Sequence, residues 1–164
     1  MEANALPVFE RLCELLSRAN ARYRVIAHEA AGRSEQVAAI RGTDPRQGAK
    51  AMLCTFKAQP QQFVLTVLPG DRRLDFRKVG AACGLAKATL AAPGDAMRLT
   101  GCVVGAIPPF LFSDEITLVV DPALVEGTGE IAFNAGRLDR SIVLDTADYV
   151  RIARPRVVAI AQDA

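Results

Sequence analysis

The chain has 164 residues, a length that fits one domain, and 51% of them are hydrophobic, so a core can form without disulfides or metal. A net charge of +2 and a pI near 8.4 neither demand nor exclude a nucleic-acid partner. No apolar run nears the ~20 residues of a membrane span, and the acidic start "MEANALPVFERL" lacks the apolar stretch of a signal peptide, so a cytoplasmic protein away from membranes is expected.

In chain order, "ALPVFERLCELLSRANARY" carries Val8, Leu12, Leu15, Leu16 and Ala19 at helical spacing, with Pro7 at its first turn. "YRVIAHE" reads as a short strand. "RSEQVAAIRG" predicts a helix with Ser34 as N-cap and Gly42 as its stop. "GAKAMLCTF" and "QFVLTVL" predict two strands of an antiparallel hairpin around the polar "KAQPQQ". Next come a helix ending near Gly84, a brief strand "KATLA", and a helix "APGDAMRLTG" that closes on Gly101. "CVVGAIPPF" fits neither helix nor strand. "EITLVVD" and the two runs "GEIAFNAG" and "RSIVLD" read as strands, "PALVEG" as a helical turn, and "TADYVRIA" as a helix capped by Asp145 or Thr146. "RVVAIA" predicts a final strand. The expected fold class is α+β (mixed α/β). It is a single domain over 1–164 whose mixed, mostly antiparallel sheet curls into an open barrel among helices.

Four cysteines (Cys13, Cys54, Cys83 and Cys102) form no CxxC pair, and His28 is the single histidine. No metal site is expected, and the thiols read as buried and free in a reducing compartment. Two readings stand for each remaining oddity. Lys50 lies in an apolar strand, where alternation puts Lys50, Met52 and Cys54 on one face and Ala49, Ala51 and Leu53 on the other. It either snorkels to solvent or enters a cleft to meet a phosphate or carboxylate. His28 is either surface filler or the source of any imidazole chemistry. The turn "FNAGRLDRS" is either a polar connection or a pocket rim. "TGCVVGAIPPF" is either a wide connector or a backbone bared beside Gly105 to hold a carbonyl or an oxyanion. The arginines and lysines at 72, 73, 77 and 78, and the arginines at 137, 140, 151, 154 and 156, are either phosphate contacts or a solvated face.

The succession "GAKAMLCTF", "GDRRLDFRKVGAACGLAKATLAAPGDAMRLTGCVVGAIPPF", "VVDPALVE" and "IAFNAGRLDRSIVLDTADYVRIA" resembles the YbaK/prolyl-tRNA-synthetase-associated editing domain family, from about His28 to the C-terminus. The resemblance implies the fold of that family and an aminoacyl-tRNA deacylase, a carboxylic ester hydrolase acting in trans. Its substrate would be the 3′ aminoacyl-adenosine end of a mischarged tRNA carrying a small amino acid, Cys- or Ala-tRNA(Pro). A prolyl-tRNA synthetase is the implied second partner, and no cofactor is implied. Lys50 corresponds to the family's pocket lysine. Gly101 and Gly105 match the glycine loop laid against the ester, and Pro108 and Pro109 shape that loop. Asn134 stands where alanine-specific relatives carry histidine, which points to the other branches, and Ser141 stands near a position that is Asp in some relatives.

Lys50 and Gly105 are therefore the expected catalytic residues. His28, Met52, Gly101, Val104, Ala106, Ile107, Pro108, Asn134, Gly136 and Ser141 are the expected substrate contacts. No nucleophile or general base is evident, so the expected mechanism is positional and electrostatic, with water or the ribose 2′-hydroxyl attacking. The alternative is a non-catalytic module that binds an aminoacyl or nucleotide ligand beside a synthetase.

Overall fold

Helix α1 (Val8–Arg18) starts directly after Pro7 and buries Val8, Leu12 and Leu16, which recur every four residues along one face. The computed structural model describes residues 6–163. Strand β1 (Tyr23–Ala27) and helix α2 (Ser34–Arg41) follow, and α2 ends on Gly42 in the left-handed conformation. Ser34 was expected to cap α2. It is instead the first helical residue, after Arg33, and makes no side-chain cap. β2 (Ala49–Thr55) and β3 (Phe63–Pro69) form the expected antiparallel hairpin, running from the pair Ala49/Pro69 to the pair Thr55/Phe63.

Helix α3 (Phe76–Ala82) is capped by the Asp75 carboxylate, which accepts from the N–H groups of Arg77 and Lys78. β4 (Thr89–Leu90), α4 (Pro93–Thr100), β5 (Ile116–Val120) and the single turn α5 (Pro122–Val125) come next. β6 (Glu130–Arg137), β7 (Arg140–Asp145), α6 (Thr146–Ala153) and β8 (Arg156–Val157) complete the order. Asp145 caps α6, accepting from the Asp148 N–H.

The architecture is the mixed α/β one expected, with its strands shared between two sheets. One is antiparallel, in the order β1-β7-β6, and the other mixed, in the order β4-β2-β3-β5-β8. β3 is buried along its whole length because it is apolar on both faces and lies between β2 and β5. The alternation read in β2 is observed. Ala49, Ala51 and Leu53 join the main core, while Met52 and Cys54 face a second, smaller one beneath α3. The final run leaves the sheet after Val157. The buried Asp121 carboxylate takes the N–H groups of Ile160 and Ala161, each at 2.9 Å, and holds that chain out of register.

The sheets do not close into a barrel. They touch at one bridge, Gly48 to Ala132, and part beyond it. β4 is only two residues long and pairs with Cys54 and Thr55, so among the described residues the Ala49–Ala51 edge of β2 has no hydrogen-bonded strand on that side. The loop after α4 fills part of the gap, and the Gly136 N–H donates to its Ala106 carbonyl at 2.9 Å.

A candidate ligand site between the two sheets

Where the sheets part, a cavity of about 60 Å³ opens between the edge of β2, the start and end of α2, the Gly105 loop and β6. Short side chains and main chain form much of its wall, with Gly32, Ser34, Arg41, Lys50, Gly105 and Asn134 giving it its polar character. Gly105 is there for a geometric reason. Its φ is +92°, and a Cβ at this position would lie 3.4 Å from the Gly32 Cα, so two loops meet main chain to main chain. Among the described residues the Gly105 N–H makes no hydrogen bond, while its carbonyl accepts from Asn134 Nδ2 at 2.9 Å.

Asn134 and Ser141 face each other across the β6–β7 pair, on the side of the small sheet away from the main core. Arg41 reaches them from the last turn of α2. Its Nε donates to Ser141 Oγ at 2.7 Å and its Nη2 to Asn134 Oδ1 at 3.2 Å. Asn134 Nδ2 also donates to the Ala31 carbonyl at 2.8 Å, so all of its partners agree with one amide orientation. His28 Nδ1 lies 2.7 Å from the Glu29 carbonyl, which can only accept, so that nitrogen carries a proton. In the neutral ring Nε2 then accepts from the Ser141 hydroxyl at 2.8 Å. One polar chain thus links His28, Ser141, Asn134 and Arg41 to the Gly105 carbonyl.

The charges at the site are cationic and desolvated. Burial pushes the Arg41 guanidinium down to about 10. The Lys50 amine is also held below its ordinary value, by burial first, against the opposing pull of Glu35 and Asp71. It donates to the Arg72 carbonyl. The Ser34 hydroxyl on the wall has no hydrogen-bonded base among the described residues to activate it as a nucleophile. Ser141 is fully buried under its partners, and burial raises all four cysteine thiols, Cys54 to about 11.

The expected site residues divide into groups. Lys50, Gly105, Ile107 and Asn134 meet at the cavity, and His28 and Ser141 join it through Arg41. Met52 and Val104 line an apolar cavity of about 80 Å³ that shares Ala51 and Ile107 with the first. Ala106 and Pro108 are buried behind the loop. Gly101 and Gly136 lie away from the cavity. Gly101 ends α4 in the left-handed conformation, and Gly136, at φ +84°, lets β6 pass against α1, where a Cβ would come within 2.9 Å of Val8 Cγ1. Four of the nine basic residues read as phosphate contacts or a solvated face are engaged locally: Arg137 and Arg140 on Asp139, Arg151 on Asp148 and Lys78 on Asp163. Arg41 was not singled out by the sequence. The available signal was helical spacing, because Ser34, Val37 and Arg41 (i, i+3, i+7) share the face of α2 that lines the cavity.

A model of the aminoacyl-tRNA editing domain matches residues 28–152. Two curated relatives, both described as the multifunctional Ser/Thr-tRNA deacylase ProXp-y, come from Escherichia coli K12 and O157:H7. Each is 49% identical over 150 residues, covering 91% of this chain and 90% of its own length. Among solved structures, the hypothetical protein APE2540 superposes with a TM-score of 0.82 at 21% identity, covering 93% of this chain and 99% of its own. A candidate trans-editing enzyme for prolyl tRNA synthetase superposes at 0.80 and 19% identity, covering 98% and 100%. These two structures show the fold.

Proposed function

The chain belongs to the aminoacyl-tRNA editing domain family, and from this premise we propose that it hydrolyses, in trans, the ester joining a wrongly attached amino acid to the 3′ end of tRNA. Serine and threonine are the proposed amino acids. Their support is the 49% identity to relatives described as Ser/Thr-tRNA deacylases. The observation that carries the reading is the cavity itself. It is polar-walled, it opens on a strand edge and a glycine loop, and its wall hydroxyl, Ser34, has no base beside it among the described residues.

In the proposed mechanism the protein positions and polarises, and water or the ribose 2′-hydroxyl attacks the carbonyl. The unpaired Gly105 N–H is placed to donate to the carbonyl oxygen as negative charge develops there. Lys50, on the cavity wall, orients the tRNA end. The apolar cavity at Met52 and Val104 gives the terminal base a dry surface. The reaction takes place in the cytoplasm, with tRNA as partner and in the company of prolyl-tRNA synthetase. No helix among the described residues is long and apolar enough to cross a membrane.

The test is release of amino acid from a panel of tRNAs charged with alanine, cysteine, serine, threonine or proline. Serine and threonine should be released fastest. No release from any of them, with retained binding of aminoacyl-adenosine analogues, would replace the hydrolase with a binding module. Within that assay, Lys50→Ala should slow deacylation by about 10- to 100-fold. Undiminished deacylation would remove Lys50 from the mechanism.

A further inference from the structure

Arg41 presents a half-buried, oriented guanidinium to the cavity with part of its hydrogen-bonding capacity unused. Its Nε and one Nη2 hydrogen are taken by Ser141 and Asn134. The remaining N–H bonds have no protein acceptor among the described residues. Burial lowers its ionisation, and among the described residues no carboxylate forms an ion pair with it. Ser141 and Asn134, which hold it, are 0% and 6% exposed, so the fork is fixed before any ligand arrives.

We propose that Arg41 is the specificity-determining contact for the aminoacyl side chain, its free N–H groups donating to the hydroxyl oxygen of serine or threonine. This rests on the deacylase reading above. A guanidinium only donates, so its ligand atom must be an acceptor. The free N–H groups open on the same cavity as the Gly105 loop, where the ester carbonyl is placed above, so the acceptor they meet belongs to the aminoacyl group. The other cation on the wall, Lys50, has part of its amine on the Arg72 carbonyl and is the group given above to the tRNA end, which leaves the aminoacyl side chain to Arg41. An alanyl group would set a methyl against the same donors and leave them desolvated and unpaired, which is the arrangement that discriminates most strongly.

The experiment compares kcat/KM on seryl-, threonyl- and alanyl-tRNA for the wild-type chain, Arg41→Met and Ser141→Ala, with thermal unfolding of each. In Arg41→Met the seryl-to-alanyl ratio should fall by about 10- to 100-fold. In Ser141→Ala, which keeps the guanidinium but frees its Nε, the seryl-to-alanyl ratio should fall in the same direction and by less than in Arg41→Met. Equal losses on all three substrates in Arg41→Met, or an unchanged ratio, would overturn the proposal. If Arg41→Met does not fold, Arg41→Lys is measured the same way, since it keeps the charge but lacks the fork. A wild-type chain that releases no amino acid would refute the deacylase reading. A wild-type chain that releases alanine as fast as serine would refute the role of Arg41 alone.

Discussion

Replacing Asn134 with alanine removes the side chain that ties the Gly105 loop to β6. Two carbonyls lose their donor. Ala31 sits in a residue that is 5% exposed and stays dry, while Gly105 faces the cavity and can take water. Arg41 Nη2 loses its acceptor as well. A buried carbonyl stranded without a partner costs about 1–3 kcal/mol, and a hydrogen bond that water can replace costs about 1 kcal/mol. The sum is roughly 2–4 kcal/mol. For a chain of this length each kcal/mol lowers Tm by about 2–4 °C, so a fall of about 5–15 °C is expected by calorimetry. Deacylation of seryl-tRNA should fall by at least about 10-fold at a temperature where the variant is folded, because the loop is released. Asn134→Asp should be no milder on the loop, since a carboxylate cannot donate to either carbonyl. A Tm within about 1 °C of wild type, together with unchanged deacylation, would refute the argument.

Two further outcomes follow from the same geometry. Gly136→Ala should destabilise by about 2–4 kcal/mol in urea unfolding, combining left-handed strain at φ +84° with a Cβ 2.9 Å from Val8. Gly84→Ala, at φ +68° with open space around it, should cost only about 1 kcal/mol, and equal losses would show that contact with α1 is irrelevant. The second concerns alkaline pH. Cys54 ionises in the folded chain at about 11, above its ordinary 9.0, so the unfolded chain releases that proton first. The stability this contributes is whole below pH 9 and lost as pH rises through about 11, up to roughly 2–3 kcal/mol in all. Urea unfolding between pH 8 and 10.5 should therefore show a shallower decline for Cys54→Ala than for wild type. Parallel declines would mean that the thiol is not desolvated.

Local chemistry was legible in the sequence, and meetings between distant segments were not. The β2 alternation, the β2–β3 hairpin, the helix stops at Gly42 and Gly101 and a cap at Asp145 or Thr146 all depend on neighbours a few residues away. Sequence periodicity and turn residues report such neighbours directly. Gly105 was noticed because glycine followed by Pro-Pro is odd at any position. Its partner Gly32 was not, because nothing in either segment announces that two main chains will touch. The same holds for the single bridge at which the sheets meet, and for the loss of the last strand to the Asp121 carboxylate.

Helix and strand preferences, the apolar faces and, through the motifs, the family are already written in the order of residues. The folded chain alone brings Arg41, an ordinary last-turn arginine on α2, beside Ser141 and Asn134 from 100 and 93 residues away. Only it showed that Gly101 and Gly136 serve packing and not the cavity. The physical reason is that a side chain's role here depends on what desolvates it and what it bonds, and both come from segments joined only when the core closes.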